Sequence, residues 1–237
     1  IAITPKLCAD LIAQRGADPD RVIVAHDGIR ESRFVDAPDG LTARRALGWD
    51  DAAFIVGFVG RLQMIGMDKG VGTLVEASAQ VDGAHLALVG GPDDMAEQYR
   101  QMWIKLGKPE AQFLYVGHVP PHAVPQYLRA FDVCAMPHPR TTQFAYYTSP
   151  LKLFEYMASH SAVVASDLPA WADVVTDGET ALLVPPSDVG ALADAIQKLK
   201  DDPTLRQHLA DNAYQSVMAD YTWSARAEAI LQHIQSA

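Results

Sequence analysis

Two stretches of the chain place cations beside backbone features suited to a phosphate-bearing ligand. The first follows the apolar run Phe54 to Val59 and reads Gly60-Arg61-Leu62, then Asp68-Lys69-Gly70 at a helix start. Gly60, lacking a Cβ, lets a ligand approach the backbone closely. Arg61 offers a planar fork suited to phosphate, and Lys69 a flexible point charge. A surface Arg and Lys flanking an ordinary strand-to-helix loop explain the same residues equally well. The second stretch is Ser149-Pro150-Leu151-Lys152-Leu153-Phe154-Glu155-Tyr156-Met157-Ala158. Ser149 suits an N-cap and Pro150 the first helical position. Leu151, Phe154 and Ala158 then share an apolar face, with Lys152 and Glu155 on another. Free amides at such a helix start favour an anion, and Lys152 adds charge there. Glu155 falls ~7 Å along the axis, at about 1.5 Å per residue. That is about the span from a diphosphate to a ribose diol, whose hydroxyls a carboxylate accepts well. The alternative is an exposed i, i+3 ion pair worth roughly 0.2–0.5 kcal/mol.

The elements around these stretches point to one architecture. Short apolar runs recur at Phe54 to Val59, Leu86 to Val89, Phe113 to Val116, Val133 to Met136, Ala162 to Ala165 and Ala181 to Val184. Between them lie segments of helical period: Gly70–Gln80, Asp93–Leu106, Pro121–Ala130, Pro150–Ser159 and Asp188–Lys200. Strands apolar on both faces and alternating with helices predict a parallel sheet covered on each side. With right-handed crossovers this is a doubly wound, Rossmann-like α/β domain, whose ligands bind beyond the carboxyl ends of the strands. Residues 1–15 read as a helix, followed by Val22–Ala25 and a turn at His26-Asp27-Gly28 where Gly28 can supply positive φ. After Asp201 the chain reads as helical, with a break near Thr222-Trp223-Ser224.

Composition bounds the function classes. The 237 residues suffice for one sizeable α/β core, and 49% hydrophobic with 20% charged residues is ordinary for a globular protein. Twenty-nine acidic against 19 basic residues give a net charge of −10, which argues against a nucleic acid partner but not against a nucleotide diphosphate. No apolar run approaches the roughly 20 residues that span a bilayer. Cys134 sits in the apolar run Asp132 to Met136 and reads as a small core residue; Cys8 lies far from it, and a reducing cytoplasm suits this usage. The histidines show no metal-ligand spacing, so no metal is expected. Gly70-Val71-Gly72 begins like a dinucleotide fingerprint, but it lacks the third small residue and does not directly follow a strand. Trp171 is expected to pack against the domain. The chain opens Ile1-Ala2-Ile3-Thr4 without an initiator Met, as a fragment or a processed chain does.

Taken in order, the two stretches resemble the C-terminal domain of GT-B glycosyltransferases of group 1, family 4. Gly60-Arg61-Leu62 with Lys69-Gly70 is similar to the family's first signature, and Leu153-Phe154-Glu155-Tyr156-Met157-Ala158 to its glutamate-helix signature. Leu88-Val89-Gly90-Gly91 resembles its glycine turn, and Asp177-Gly178 before Ala181 to Pro185 also fits. The resemblance runs from about residue 21 to the C-terminus and makes the chain one half of a GT-B architecture. It divides the chain into 1–20, a hinge or remnant of a missing N-terminal acceptor domain; 21–220, the nucleotide-sugar-binding domain; and 221–237, a helix crossing back to the missing domain.

This resemblance implies that Arg61 and Lys69 hold the donor diphosphate and stabilise it as leaving group. The backbone at Pro150, Leu151 and Lys152 adds bonds to phosphate, Glu155 binds ribose, and Gly117-His118-Val119-Pro120 lies beside the base, with Gly60, Gly90, His118, Val119 and Ser149 completing the donor set. It implies sugar transfer from a nucleotide sugar with retention, without metal or other cofactor, by a cytoplasmic protein that reaches the inner face of a membrane through the missing domain. The isolated chain is then expected to bind nucleotide and transfer little sugar. Other uses of the fold stay open, namely a non-catalytic nucleotide-binding or scaffolding module, or an epimerase or phosphorylase. Three positions depart from the pattern. Tyr147 stands where many members carry a glutamate near the sugar, as in a variant group with a Ser-Pro-Leu-Lys helix start. His160 and Ala162 replace the usual glycine and proline, with His160 expected to tolerate a left-handed cap.

Overall fold

The computed structural model describes residues 1–64 and 67–236. Six strands form one parallel sheet: β1 (Phe54–Val59), β2 (Ala84–Val89), β3 (Phe113–Val116), β4 (Val133–Met136), β5 (Ala162–Ser166) and β6 (Leu182–Val184). Their spatial order is 3-2-1-4-5-6. The order reverses beside β1, so the crevice between the ends of β1 and β4 is where such a sheet admits a ligand.

Period-two alternation sorts the strand residues between two cores. Ile55, Val59, Ala87, Val89, Cys134, Met136, Val163 and Ala165 face one side. Val56, Phe58, Leu86, Leu88, Val133, Ala135, Ala162 and Val164 face the other. Helices α1 (Pro5–Arg15), α2 (Ser32–Val35) and α3 (Gly40–Leu47) precede the sheet. Following β1 are α4 (Val71–Gln80), α5 (Asp93–Lys105), α6 (Val124–Arg129), α7 (Thr142–Tyr146) and α8 (Leu151–Met157). The chain ends in α9 (Val189–Asp201), α10 (Pro203–Asp220) and α11 (Trp223–Ser236). Helices α4, α5 and α9 supply apolar residues such as Leu74, Trp103 and Ile196 to the second core. Leu128 of α6, Phe144 of α7 and Phe154 of α8 fill the first.

The predicted strands lie where their apolar runs stand, and Cys134 and Trp171 are buried in the core, Trp171 donating its indole N–H to the Ser166 carbonyl at 2.8 Å. His160 adopts φ 54 after α8, as expected of a left-handed cap. Val22–Ala25 contributes a bridge from Val24 to Ala2. Gly28 does not adopt positive φ; it is needed because a Cβ there would stand 2.6 Å from the Thr222 carbonyl carbon. This close approach joins the two ends of the chain: the Ile29 amide donates to Tyr221 at 2.9 Å, and Arg226 donates to Asp27 at 2.7 Å. The helices α3 and α7 had no counterpart among the predicted segments. Each is marked by its N-cap, Asp39 and Thr141, whose side chains accept from the third amide onward.

Candidate functional site

The site grows from the carboxyl ends of β1 and β2. The Gly60 amide donates to Val89 O at 2.8 Å, and the Gly90 amide to Val116 O at 2.9 Å, so the strand ends continue as paired backbone. Beneath them the buried Tyr156 hydroxyl accepts from the Val59 amide at 2.9 Å and donates to the Val59 carbonyl at 3.2 Å. This holds α8 against the end of β1 and brings Lys152 over Gly60, 3.7 Å from the place a Cβ would occupy. The result is a cleft of about 410 Å³ lined by Gly60, Arg61, Gly90, His118, Val119, Lys152 and Glu155, with apolar Val59, Val89 and Val124 as its floor.

Lys69, in the loop before α4, does not line this cleft but stands close enough to Lys152 and Arg61 for their charges to act on it. Burial pushes its pKa below the usual lysine value, and the charges of Lys152 and Arg61 push it further the same way. Three cations therefore gather at one end of the sheet. Lys152 donates to Glu155 at 2.6 Å, while Arg61 and Lys69 take part in no ion pair among the described residues. Like charges held together in a partly buried place are destabilised until an anion joins them.

The helix start differs from expectation. Helix α8 begins at Leu151, with Pro150 as an N-cap that offers no side-chain bond. Ser149 is not the cap: its hydroxyl accepts from the Asp27 amide at 2.9 Å and so ties the amino-terminal segment to the site. The Leu151 amide donates to Ser149 O at 3.0 Å, and Pro150 has no N–H, which leaves Lys152 as the amide available nearest the cleft. Leu151 is 47% exposed and does not join Phe154 and Ala158 in the core, because it stands at the rim where the helix starts. Ser149 and Pro150 are buried behind the cleft and do not line it. Tyr147 donates its hydroxyl to Asp10 of α1 at 2.6 Å, which commits that side chain to the helix packing.

Besides Tyr156, one further residue near the site has no counterpart among the predicted site residues. His138, just past the end of β4, is buried, with its Nδ1 lacking a hydrogen-bond partner among the described residues. Its ring lies edge-on to Phe144 at 4.6 Å, and burial, with the Lys69 charge adding to it, pushes its pKa down to about 3. A neutral imidazole therefore stands behind the cationic cluster. Its place directly after a central strand was the signal available in the sequence. Among the described residues, no group of three or more His, Cys, Asp or Glu side chains is arranged to hold a metal ion.

A doubly wound sheet with a crevice beyond the carboxyl ends of its strands has the architecture of a ligand-binding α/β domain. The chain belongs to the glycosyltransferases of group 1, whose family model matches residues 53–202. It is 30% identical over 236 residues to the D-inositol 3-phosphate glycosyltransferase of Corynebacterium efficiens, covering 94% of this chain and 53% of that protein. Sucrose-phosphate synthase from Thermosynechococcus elongatus superposes with a TM-score of 0.80 at 30% identity, covering 99% of this chain and 57% of that one. Anabaena HepE in complex with UDP shares the fold, with a TM-score of 0.80 at 23% identity, covering 100% of this chain and 63% of that one. The architecture is that of one half of a GT-B glycosyltransferase. The chain spans about half the length of the curated relatives it matches.

Proposed function

We propose that this chain is the donor-binding half of a two-domain glycosyltransferase, which moves a sugar from a nucleoside-diphosphate donor to an acceptor held by the other half. The observation that carries this reading is the gathering of Arg61, Lys69 and Lys152 at the switch point, with two of the three lacking a carboxylate partner among the described residues. In this role Arg61 and Lys69 hold the pyrophosphate and take up the charge that develops as it leaves, preorganised electrostatics that need no divalent ion. The Lys152 amide adds a donor. Glu155 serves the ribose, turning from its ion pair with Lys152 as the phosphates take over that cation. His118 and Val119 flank the base. Transfer proceeds with retention, and the acceptor comes from the second domain. UDP in a neighbour of the same fold supports a nucleoside diphosphate as ligand. Exposed Leu231 and Ile234 on α11 support a second domain lying against that helix.

Thermal unfolding with UDP, GDP and ADP tests this directly. At 100 times its dissociation constant, the right nucleotide adds about 2.7 kcal/mol, which for a domain of this size raises Tm by roughly 5–10 °C. We expect one nucleotide to do so, unaltered by a chelator, while the isolated chain shows no transfer above background. Stabilisation by none of the three would favour a non-catalytic module. Stabilisation that disappears with the chelator would remove the metal-free mechanism.

The lowered Lys69 pKa adds a pH signature with two opposite slopes. In the free chain, folding disfavours the ammonium, so the unfolded state binds more protons and stability rises with pH between the folded and unfolded pKa values. A bound diphosphate restores the ammonium, so nucleotide affinity falls as pH rises through the lowered value. Titration through the range just below the ordinary lysine value should show both slopes, and Lys69→Met should flatten both. Parallel slopes in the two proteins would assign the effect elsewhere.

A further inference from the structure

At the amino-terminal edge of the sheet, opposite the donor cleft, a second crevice of about 420 Å³ opens among Asp39, Arg44, Arg129, Asp132, His160 and Arg206. Asp132 directly precedes β4 and Ala162, also on its wall, begins β5. The six residues of β1 put ~20 Å between the two ends at about 3.3 Å per residue, so this is a separate place.

The charges around it are unevenly matched. Arg44 donates to Asp132 at 2.6 Å and to the carbonyls of Ala130, Asp51 and Ala53, so its guanidinium is consumed in joining α3 to the sheet. Asp132 also accepts from the Ile55 amide at 2.8 Å. Asp39 is occupied at the start of α3, where it accepts from the Thr42 amide and hydroxyl. Arg206 donates to Leu199 O at 2.7 Å and stands 3.9 Å from Asp132, which leaves part of its fork free. Arg129 takes part in no ion pair among the described residues, and its Nε is sealed from solvent without a hydrogen-bond partner. Burial holds the Arg129 pKa below its usual value, against the opposing pull of Tyr214 and Asp39.

His160 completes the wall. Its ring stacks on Tyr214 with centroids 3.7 Å apart. Burial lowers its pKa, and the Arg129 charge lowers it further, although Asp211 pulls the other way. The Arg129 charge thus disfavours a positive charge on His160, and both residues line the same crevice. An anion in the crevice stabilises the charged form of the guanidinium groups that line it.

We propose that this crevice is a second anion site, taking inorganic phosphate or the phosphate of a small phosphomonoester between the guanidinium groups of Arg129 and Arg206, with His160 at its margin. Paired guanidinium forks match a tetrahedral oxyanion, and the volume leaves room for a small organic body. The proposal is independent of the reading given to the donor cleft.

The test uses the full 237-residue chain carrying Arg61→Ala and Lys69→Ala, so that phosphate does not report through the donor cleft. At constant ionic strength, phosphate and glycerol 3-phosphate are compared with chloride by thermal unfolding. We expect phosphate to raise Tm, Arg129→Gln to abolish the rise, and Arg129→Lys, which keeps the charge but loses the fork, to reduce it. Glycerol 3-phosphate equalling or exceeding phosphate assigns the site to phosphomonoesters, and phosphate acting alone assigns it to the free ion. An equal rise in the Arg129→Gln chain, or no rise with either anion in the parent, overturns the site. If Arg129→Gln does not fold, the His160 imidazole resonances of the parent decide: they move on phosphate addition if the site exists and stay in place if it does not.

Discussion

Replacing Lys69 with alanine should weaken nucleoside diphosphate binding by about 10- to 100-fold while leaving binding of the bare nucleoside nearly unchanged. The size follows from a charge-assisted hydrogen bond to phosphate worth roughly 1.5–3 kcal/mol, with about 1.4 kcal/mol per tenfold. Lys69 is half-buried beside Arg61 and Lys152, so removing it also relieves a repulsion in the free protein. The variant should therefore unfold no earlier than the parent when no ligand is present. Loss of affinity without loss of stability separates a binding group from a packing one. Arg61→Ala should act in the same direction with a smaller effect, since Arg61 is exposed and its charge is better screened. Calorimetric titration of both variants with UDP and uridine is the measurement. Equal losses for the two ligands would place both cations outside the phosphate site, and unchanged affinities would make them surface charges.

The second large effect falls on stability. In Gly90→Ala the new Cβ would stand 2.0 Å from the Gly60 carbonyl oxygen, at a backbone φ of 125 that side chains rarely adopt. Neither partner is free to yield, because the Gly60 amide bonds Val89 O and the Gly90 amide bonds Val116 O. Strain of about 1–3 kcal/mol adds to an overpacking cost of about the same size. We expect a loss of about 3–5 kcal/mol, read as a fall in the urea midpoint at unchanged slope. Gly107→Ala is the control: its φ is 80, but nothing lies within 4 Å of the added Cβ, so only the backbone strain remains. Equal midpoints for the two variants would show that the approach of the β1 and β2 ends is not rigid. That rigidity fixes the wall of the cleft that Arg61 and Lys152 line.

The two predictions differ in how far the sequence anticipates them. Lys69 was singled out as a phosphate cation from its type and its place at a helix start. Its burial and its two like-charged neighbours come from elements far apart in the chain, and no local pattern reports them. Gly90 was marked as a turn glycine of the donor set. The structure adds a reason that holds without any ligand, the carbonyl of Gly60 on a neighbouring strand end. Ser149 shows the opposite outcome. Its type and the following Pro150 promise a helix cap, yet its hydroxyl meets an amide 122 residues away, which a local reading has no means of seeing. His138 and Tyr156 were passed over for the same reason, since a histidine after a strand and a tyrosine in an apolar helix gain meaning only from what surrounds them.

Within the chain itself, short-range physics was enough for the strand positions, the division into two apolar faces, the left-handed cap at His160 and the order of the motifs. These depend on alternation, helical period and backbone preference, which act over a few residues. Three matters were decided only by folding: which cations share a space, which polar groups are spent on structure, and where a cation such as Arg129, without an ion pair among the described residues, comes to line a crevice. Each depends on distance and burial between segments remote in sequence, and in a partly buried setting those two quantities set the strength of every charge.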